Sequence, residues 1–486
     1  MNSIKKEMAS GVYYTALAKY SGVILSLVIA GILSRILTSD DFGVIAIATV
    51  IIAFFSIFSD LGIAPSIIQK KDLTNDDFNN IFSFTIWSGI IISILFFLSS
   101  WLIADFFNSE ILIPVCQLLS INLLFASINI VPNALLQKAK RFKFIAVRTL
   151  GVQVVCGIVS IIAAYKGAGV YALLINPILS SIILFIVNYF QYKLQLKFTL
   201  GFSSIKKIFA YSAYQFGFNI INYFSRNLDK LLIGKHLNMS ELGFYDKSYR
   251  MMMLPLQILP QVVSPVMHPI FSDLQNDFKK LSESYLKVVK VLAFIGLPVS
   301  IFLLFTAYEL IIIIFGHQWE PSVPVFKVLS LSVGIQVILS TSGSIFQAAN
   351  STKTLFWCGF GTTILNVLAI CIGLFCFNTS YAIAWGICIS FTLNFIITYY
   401  LMYNKVFKIS WKPFWKILIS PVILSGILGC MLFLLNIILP SDLNLILSLI
   451  IKGILALVIW LGYIQISREY DIRKIVTYLL NKKKNK

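Results

Sequence analysis

Charge is scarce in this sequence. Asp, Glu, Lys and Arg make up 12% of the 486 residues, with 20 acids against 39 bases, whereas soluble domains carry about 25% charged residues. With so little polar surface, 58% hydrophobic residues and a mean hydropathy of +0.87, the chain cannot hide its apolar side chains in a water-soluble core. Histidine is almost missing: three residues, scattered, suggest no metal site. The seven cysteines (Cys116, Cys156, Cys358, Cys371, Cys376, Cys388 and Cys430) contain no Cys-x-x-Cys pair and all fall in apolar runs, where they read as small core residues. There is no Walker-A glycine loop, and so no built-in ATPase, and neither Gly-x-Ser-x-Gly nor His-Glu-x-x-His occurs. No connection is long enough to hold a soluble domain. These absences weigh against an enzyme. A membrane glycosyltransferase or ligase would need a sizeable outer loop or an acidic cluster, and Asp105 and Glu110 are poor candidates for one.

Long apolar runs are present instead. A helical span needs about 20 apolar residues, and about fourteen runs qualify: 11–36, 43–66, 81–103, 112–137, 145–165, 168–190, 209–233, 243–270, 288–315, 322–349, 355–377, 380–403, 414–438 and 443–466. They are too long, and too little alternating, for barrel strands. The first is a span and not the short core of a cleavable signal peptide. The fold class expected is therefore an all-α polytopic membrane protein.

The net charge of +19 could point to nucleic acid, but its placement points to a membrane. Bases cluster at the N-terminus and in the connections after even-numbered spans: Lys70 and Lys71; Lys138, Lys140, Arg141, Lys143 and Arg148; Lys193, Lys197, Lys206 and Lys207; Lys279, Lys280 and Lys287; Lys405, Lys408 and Lys412; then the tail from Arg468 to Lys486. The alternate connections are nearly bare, Lys166 and Lys235 apart. This positive-inside asymmetry puts both termini in the cytoplasm. The bases are also placed to meet anionic membrane lipids, and no nucleic-acid partner is expected.

A repeat runs through the chain. Leu33-Ser34-Arg35-Ile36-Leu37-Thr38-Ser39-Asp40-Asp41-Phe42-Gly43-Val44 is echoed 200 residues later by Ile233-Gly234-Lys235-His236-Leu237-Asn238-Met239-Ser240-Glu241-Leu242-Gly243-Phe244. A base, a leucine, an acid and a glycine recur at the same offsets, each time at the outer end of one span and the start of the next. The separation is six spans, an even number, so the halves would be parallel repeats, a transporter plan that puts the substrate site at the repeat interface. The domains expected are 1–205 and 206–408, six helices each, followed by 409–486 with two extra helices and a basic tail.

Polar residues inside spans mark bundle interiors or wet cavities. In the seventh run Gln215, Asn219, Asn222, Arg226 and Asp229 recur at helical spacing on one face, with Lys230 beside them. Weaker stripes are Thr15, Lys19, Gly22 and Ser26; Ala46, Thr49, Ala53, Ser56 and Asp60; Asn122, Asn129 and Asn133; and Ser332, Gln336, Ser340, Gly343 and Gln347. Asp246, Lys247 and Arg250 open the eighth span. Each stripe has a plainer reading as well: small residues pack helices, Lys19 snorkels to the headgroups, Arg226 and Asp229 form a structural ion pair, and Asp246, Lys247, Arg250, Glu309 and Lys327 sit at the interface. Taken as a cavity, Lys19, Arg226, Lys230 and Arg250 against Asp60 and Asp229 make a mainly basic cleft suited to a phosphate or diphosphate. Asn219 and Asn222 would read the rest of the ligand. Asp60 and Asp229 are the candidates for coupling to an H⁺ or Na⁺ gradient, and no other cofactor is implied.

Three stretches resemble a known family: Ser34-Arg35-Ile36-Leu37 with Asp41-Phe42-Gly43 and Phe58-Ser59-Asp60-Leu61-Gly62-Ile63; Gly167-Ala168-Gly169-Val170-Tyr171-Ala172-Leu173; and Phe224-Ser225-Arg226-Asn227-Leu228-Asp229-Lys230-Leu231-Leu232-Ile233-Gly234, continuing through Glu241-Leu242-Gly243-Phe244-Tyr245-Asp246-Lys247. Over essentially the whole chain the sequence resembles the Wzx-type polysaccharide flippases of the multidrug/oligosaccharidyl-lipid/polysaccharide exporter superfamily, and more narrowly it looks like the WzxC-like exporters of lipopolysaccharide and exopolysaccharide. The resemblance implies two six-helix lobes in a V, alternating access, and movement of a polyprenyl-pyrophosphate-linked oligosaccharide out of the bacterial cytoplasm. Arg226, Lys230 and Lys19 match best the basic cavity residues thought to hold the pyrophosphate. It also implies a bacterial cytoplasmic membrane and a polysaccharide polymerase as partner. A multidrug or cation antiporter of the same superfamily and a lipid II flippase stay open as alternatives.

Overall fold

The computed structural model describes residues 2–60, 62–197, 220, 223–224, 226–272, 277–440 and 442–467. Among the described residues there are helices and turns and no strands. They form two compact units, Met1–Asp246 with Ile314–Gln318, and Lys247–Ile313 with Trp319–Lys486.

The first unit contains α1 (Asn2–Ser34), α2 (Ser39–Asp60), α3 (Ile63–Gln69), α4 (Asn75–Phe107), α5 (Leu112–Ile128), α6 (Ile130–Lys138), α7 (Phe142–Tyr165), α8 (Tyr171–Tyr192), a helix α9 at 226–236, and the first turns of α10 (Met239–Ser272). Helix starts follow local chemistry. At α2 the Asp41 carboxylate accepts from the Thr38 amide at 3.0 Å while the Thr38 hydroxyl accepts from the Asp41 amide at 3.2 Å. Thr74 and Asp77 repeat this reciprocal cap at α4, which satisfies donors that a helix leaves open at its first turn. In the second repeat Asn238 stands at the Thr38 position, and its side chain accepts from the Glu241 amide at 2.7 Å.

Packing in this unit answers the question left by the asparagine stripe. Asn122 donates to the Pro177 carbonyl at 2.6 Å, Asn188 donates to Asn129 at 2.7 Å, and Arg148 donates to Asn133 at 3.1 Å. The stripe therefore joins α5 and α6 to α7 and α8, where polar side chains bond across helices for about 0.6 kcal/mol each. The two repeat turns also dock on each other. A Cβ on Gly43 would collide with the Met239 carbonyl oxygen, and a Cβ on Gly243 with that of Ser39. Ser39 and Ser240 hydroxyls meet beside them. Only glycine lets the backbones approach this closely.

The second unit holds the rest of α10, then α11 (Phe278–Phe305), α12 (Ala307–Phe315) as far as Ile313, α13 (Ser322–Leu331), α14 (Val333–Leu339), α15 (Ser342–Ala348), α16 (Thr352–Phe377), α17 (Ser380–Leu401), α18 (Lys412–Ile438) and α19 (Leu445–Ile466). The tenth expected span is broken, bending by 43° where α13 ends. Tyr399 donates to the Ile338 carbonyl at 3.2 Å near the second break in this span, and Tyr285 bridges Tyr399 at 2.8 Å and Thr341 at 3.2 Å. Backbone freed at a break in the membrane needs such partners.

Among the described residues eleven helices are long and apolar enough to cross a membrane, or twelve with the bent pair counted as one span. They match the expected runs except for two. The run 209–233 lies largely outside the described residues, and α10 is a continuous helix of 34 residues that carries Asp246, Lys247 and Arg250. The chain is a multi-pass helical membrane protein.

Candidate functional site

The seventh and eighth runs meet as a helical hairpin, α9 and the start of α10, joined at residues 237–238. Residues about equally far from that turn face one another. The Lys230 ammonium lies 2.7 Å from the Asp246 carboxylate, with both side chains largely buried, and the Tyr245 hydroxyl donates to Asp229 at 2.6 Å. At about 1.5 Å per residue, this cluster is about 10 Å in from the turn. The other Asp229 oxygen, Oδ1, is buried without a hydrogen-bond partner among the described residues. The cluster thus sets two carboxylates beside one ammonium.

Arg226 lies one turn deeper and differs in kind. It is exposed, and among the described residues it makes no ion pair. The structural pairing with Asp229 considered from sequence is not formed; the Asp229 partner is Tyr245. Tyr223 anchors this stretch by donating to the Val50 carbonyl of α2 at 3.0 Å, with Phe54 packed 5.3 Å from its ring. Lys19 on α1 and Asp60 at the end of α2 are half-buried, and neither pairs with Arg226. Asn219 and Asn222 lie outside the described residues, as does Gln215.

In the second unit Arg250 is exposed. Lys247, expected at an interface, is buried, with its ammonium 4.8 Å from the ring centre of Trp319. Glu309 departs from expectation in the same way. It is 5% exposed, ion-paired with Lys452 of α19, and accepts from Ser448 at 2.9 Å. Lys327 is exposed as expected. Gln336 of the Ser332 stripe donates to the Ser332 hydroxyl at 2.7 Å and approaches the Met252 sulfur at 3.5 Å, so this part of the stripe packs.

Tyr245 and Lys452 escaped the sequence reading. A hairpin register about the 237–238 turn would have found Tyr245 opposite Asp229. Lys452 is marked by being the one charge in the run 443–466; what the sequence does not mark is its partner, 143 residues away.

An apolar multi-helix chain with an exposed guanidinium one turn from a buried ionic cluster offers a donor set for an anion. The family profile of polysaccharide biosynthesis proteins matches residues 32–324. The sequence is 28% identical over 377 residues to the lipopolysaccharide biosynthesis protein WzxC of Escherichia coli strain K12, covering 76% of each chain. It is 25% identical over 373 residues to the teichuronic acid biosynthesis protein TuaB of Bacillus subtilis strain 168, covering 76% of this chain and 77% of that one. A solved structure of the lipid II flippase MurJ in an inward closed conformation superposes with a TM-score of 0.74, over 95% of this chain and 99% of MurJ, at 16% identity. That last likeness is one of fold.

Proposed function

We propose, from the premise that this chain belongs to the polysaccharide biosynthesis protein family, that it flips a polyprenyl-diphosphate-linked oligosaccharide across the bacterial cytoplasmic membrane for assembly of a surface polysaccharide. The observation that carries the reading is Arg226: a guanidinium exposed on α9, with its neighbouring ammonium, Lys230, already neutralised by Asp246. An always-charged fork of donors suits a diphosphate, and the names of the similar proteins WzxC and TuaB supply the polymer context. In this reading Arg226 takes the diphosphate, Lys19 adds positive field, Lys230 is held by Asp246, and Asn219 and Asn222 meet the sugars. The prenyl chain stays in lipid. The repeat halves 1–205 and 206–408 expose the site to each side of the membrane in turn. Both termini face the cytoplasm, and a polymerase receives the product.

Ion coupling belongs to the same proposal. The Asp229 oxygen that is buried without a hydrogen-bond partner among the described residues is where a proton or Na⁺ relieves its desolvation. Asp60 is the alternative coupling site.

Deletion and complementation test the reading. Without the gene, surface polysaccharide is expected to vanish and lipid-linked repeat units to accumulate. Arg226→Ala at wild-type protein level should fail to restore export, and Arg226→Lys should restore part of it. Full rescue by Arg226→Ala removes Arg226 from the site. Unchanged polymer with raised drug sensitivity replaces the reading with a multidrug antiporter, and an essential gene with arrested cell-wall synthesis replaces it with a lipid II flippase.

A further inference from the structure

Arg148 lies in α7, an apolar span, about 9 Å from its first residue. Its partners are all neutral. Nη2 donates to the Asn133 side-chain oxygen of α6 at 3.1 Å, and the guanidinium carbon stands 5.9 Å from the Phe144 ring centre. Among the described residues Nε and Nη1 are buried with no hydrogen-bond partner. A guanidinium does not shed its charge, and buried donors of a charged group are rarely left open, because the lost solvation is not returned.

Among the described residues no carboxylate contacts this guanidinium. The sequence has no Asp or Glu between Glu110 and Asp229. On the same side of the membrane Asp76 pairs with Lys197, and Asp77 is engaged in the cap of α4. Bases, by contrast, converge. The Arg141 guanidinium carbon stands 5.3 Å from the same Phe144 ring, and its Nη1 donates to Gln191 at 2.7 Å. Lys143 lies 5.8 Å from the Tyr14 ring centre, and Lys138 donates to the Lys70 carbonyl at 2.6 Å. Each of these cations rests on a ring or a neutral oxygen. Like charges gathered near the inner end of α7 repel unless an anion completes them.

We propose that Arg148, with Asn133 and Arg141 around Phe144, forms a phosphate-ester site in the inner half of the first unit, which holds the phosphate or diphosphate headgroup of an inner-leaflet lipid. The site is built by α6 and α7 and shares no residue with the stripe on α9. It stands whether or not Arg226 binds substrate. Two sources offer the chemistry, a prenyl diphosphate and an anionic phospholipid of the bilayer.

The full-length protein carrying Arg226→Gln, which removes the proposed cavity anchor, is placed in phosphatidylcholine nanodiscs and titrated with radiolabelled farnesyl diphosphate. Saturable binding is expected. Adding Arg148→Gln should weaken it about tenfold or more, the effect of losing a charge-assisted contact. Asn133→Asp gives a sharper test, since it sets a carboxylate beside the guanidinium. It should raise the thermal midpoint and still abolish binding, a combination that a purely structural arginine does not give, and it serves even if Arg148→Gln folds poorly. The same titration in nanodiscs containing phosphatidylglycerol separates the sources: displacement of the probe assigns the site to a bilayer phospholipid, and undiminished binding assigns it to the prenyl diphosphate. Binding unaffected by both Arg148→Gln and Asn133→Asp overturns the proposal.

Discussion

Lys452 and Glu309 neutralise each other within the second unit, with the Ser448 hydroxyl on the same carboxylate oxygen. Removing one member of a buried pair strands the other, which costs about 3–5 kcal/mol in the interior of soluble proteins, whereas replacing both by apolar groups is close to neutral. Lys452→Met should therefore lower the thermal midpoint of the purified protein markedly, and Glu309→Leu with Lys452→Met should recover most of the loss. A double variant no more stable than the single one would show that the pair is not what holds α19. Counting residues along the chain placed Glu309 near the outer end of its span and so at the interface. It does not show which helix covers the side chain, and the cover comes from α19. The stripe on α9 was legible for the opposite reason, because Arg226, Asp229 and Lys230 declare themselves by spacing within one helix, and only their partners on α10 needed three dimensions.

At the scale of elements, the starts of α2 and α10 were written in the sequence as a base, an acid and a glycine at matching offsets. The acid does what helix starts ask of it: Asp41 caps with Thr38, and in the second copy Asn238 takes over the capping. The reason for the glycines was not legible, because it lies in the other repeat. Gly43→Ala and Gly243→Ala each add a Cβ where a carbonyl oxygen already stands, so each should cost roughly 1–3 kcal/mol, as overpacking does. Gly151→Ala, with open space around it, is the control and should be nearly neutral. Thermal unfolding in detergent reads all three, and equal midpoints for Gly43→Ala and Gly151→Ala would contradict the close approach. The break in the tenth span was also hidden, since its sequence keeps an apolar composition through the bend.

For the whole molecule, hydropathy alone located most spans, because lipid imposes length and apolarity on every helix it surrounds. It says less about α10, whose charged first turns are covered by protein. The repeat and the compact units do not share a boundary either: α10 opens in the first unit and continues in the second. The charge asymmetry makes a prediction of its own at this scale. Green fluorescent protein fused after Lys486 should fluoresce and alkaline phosphatase fused there should be inactive, while a phosphatase inserted at Ser109, in the acid-bearing connection after α4, should be active. The reverse pattern would turn the topology over, and with it the direction of transport.

The docking of the two repeat turns has a symmetry of its own. Gly43 meets Met239 and Gly243 meets Ser39, and subtracting the repeat of 200 turns each contact into the other. Such self-complementary reciprocity is the mark of an isologous interface, the kind that joins two identical subunits about a twofold axis. One twofold operation maps these two contacts onto each other, so each turn constrains the other as a subunit constrains its identical partner. A bulky replacement on one side of that seam should accordingly survive in evolution only together with a change on the other.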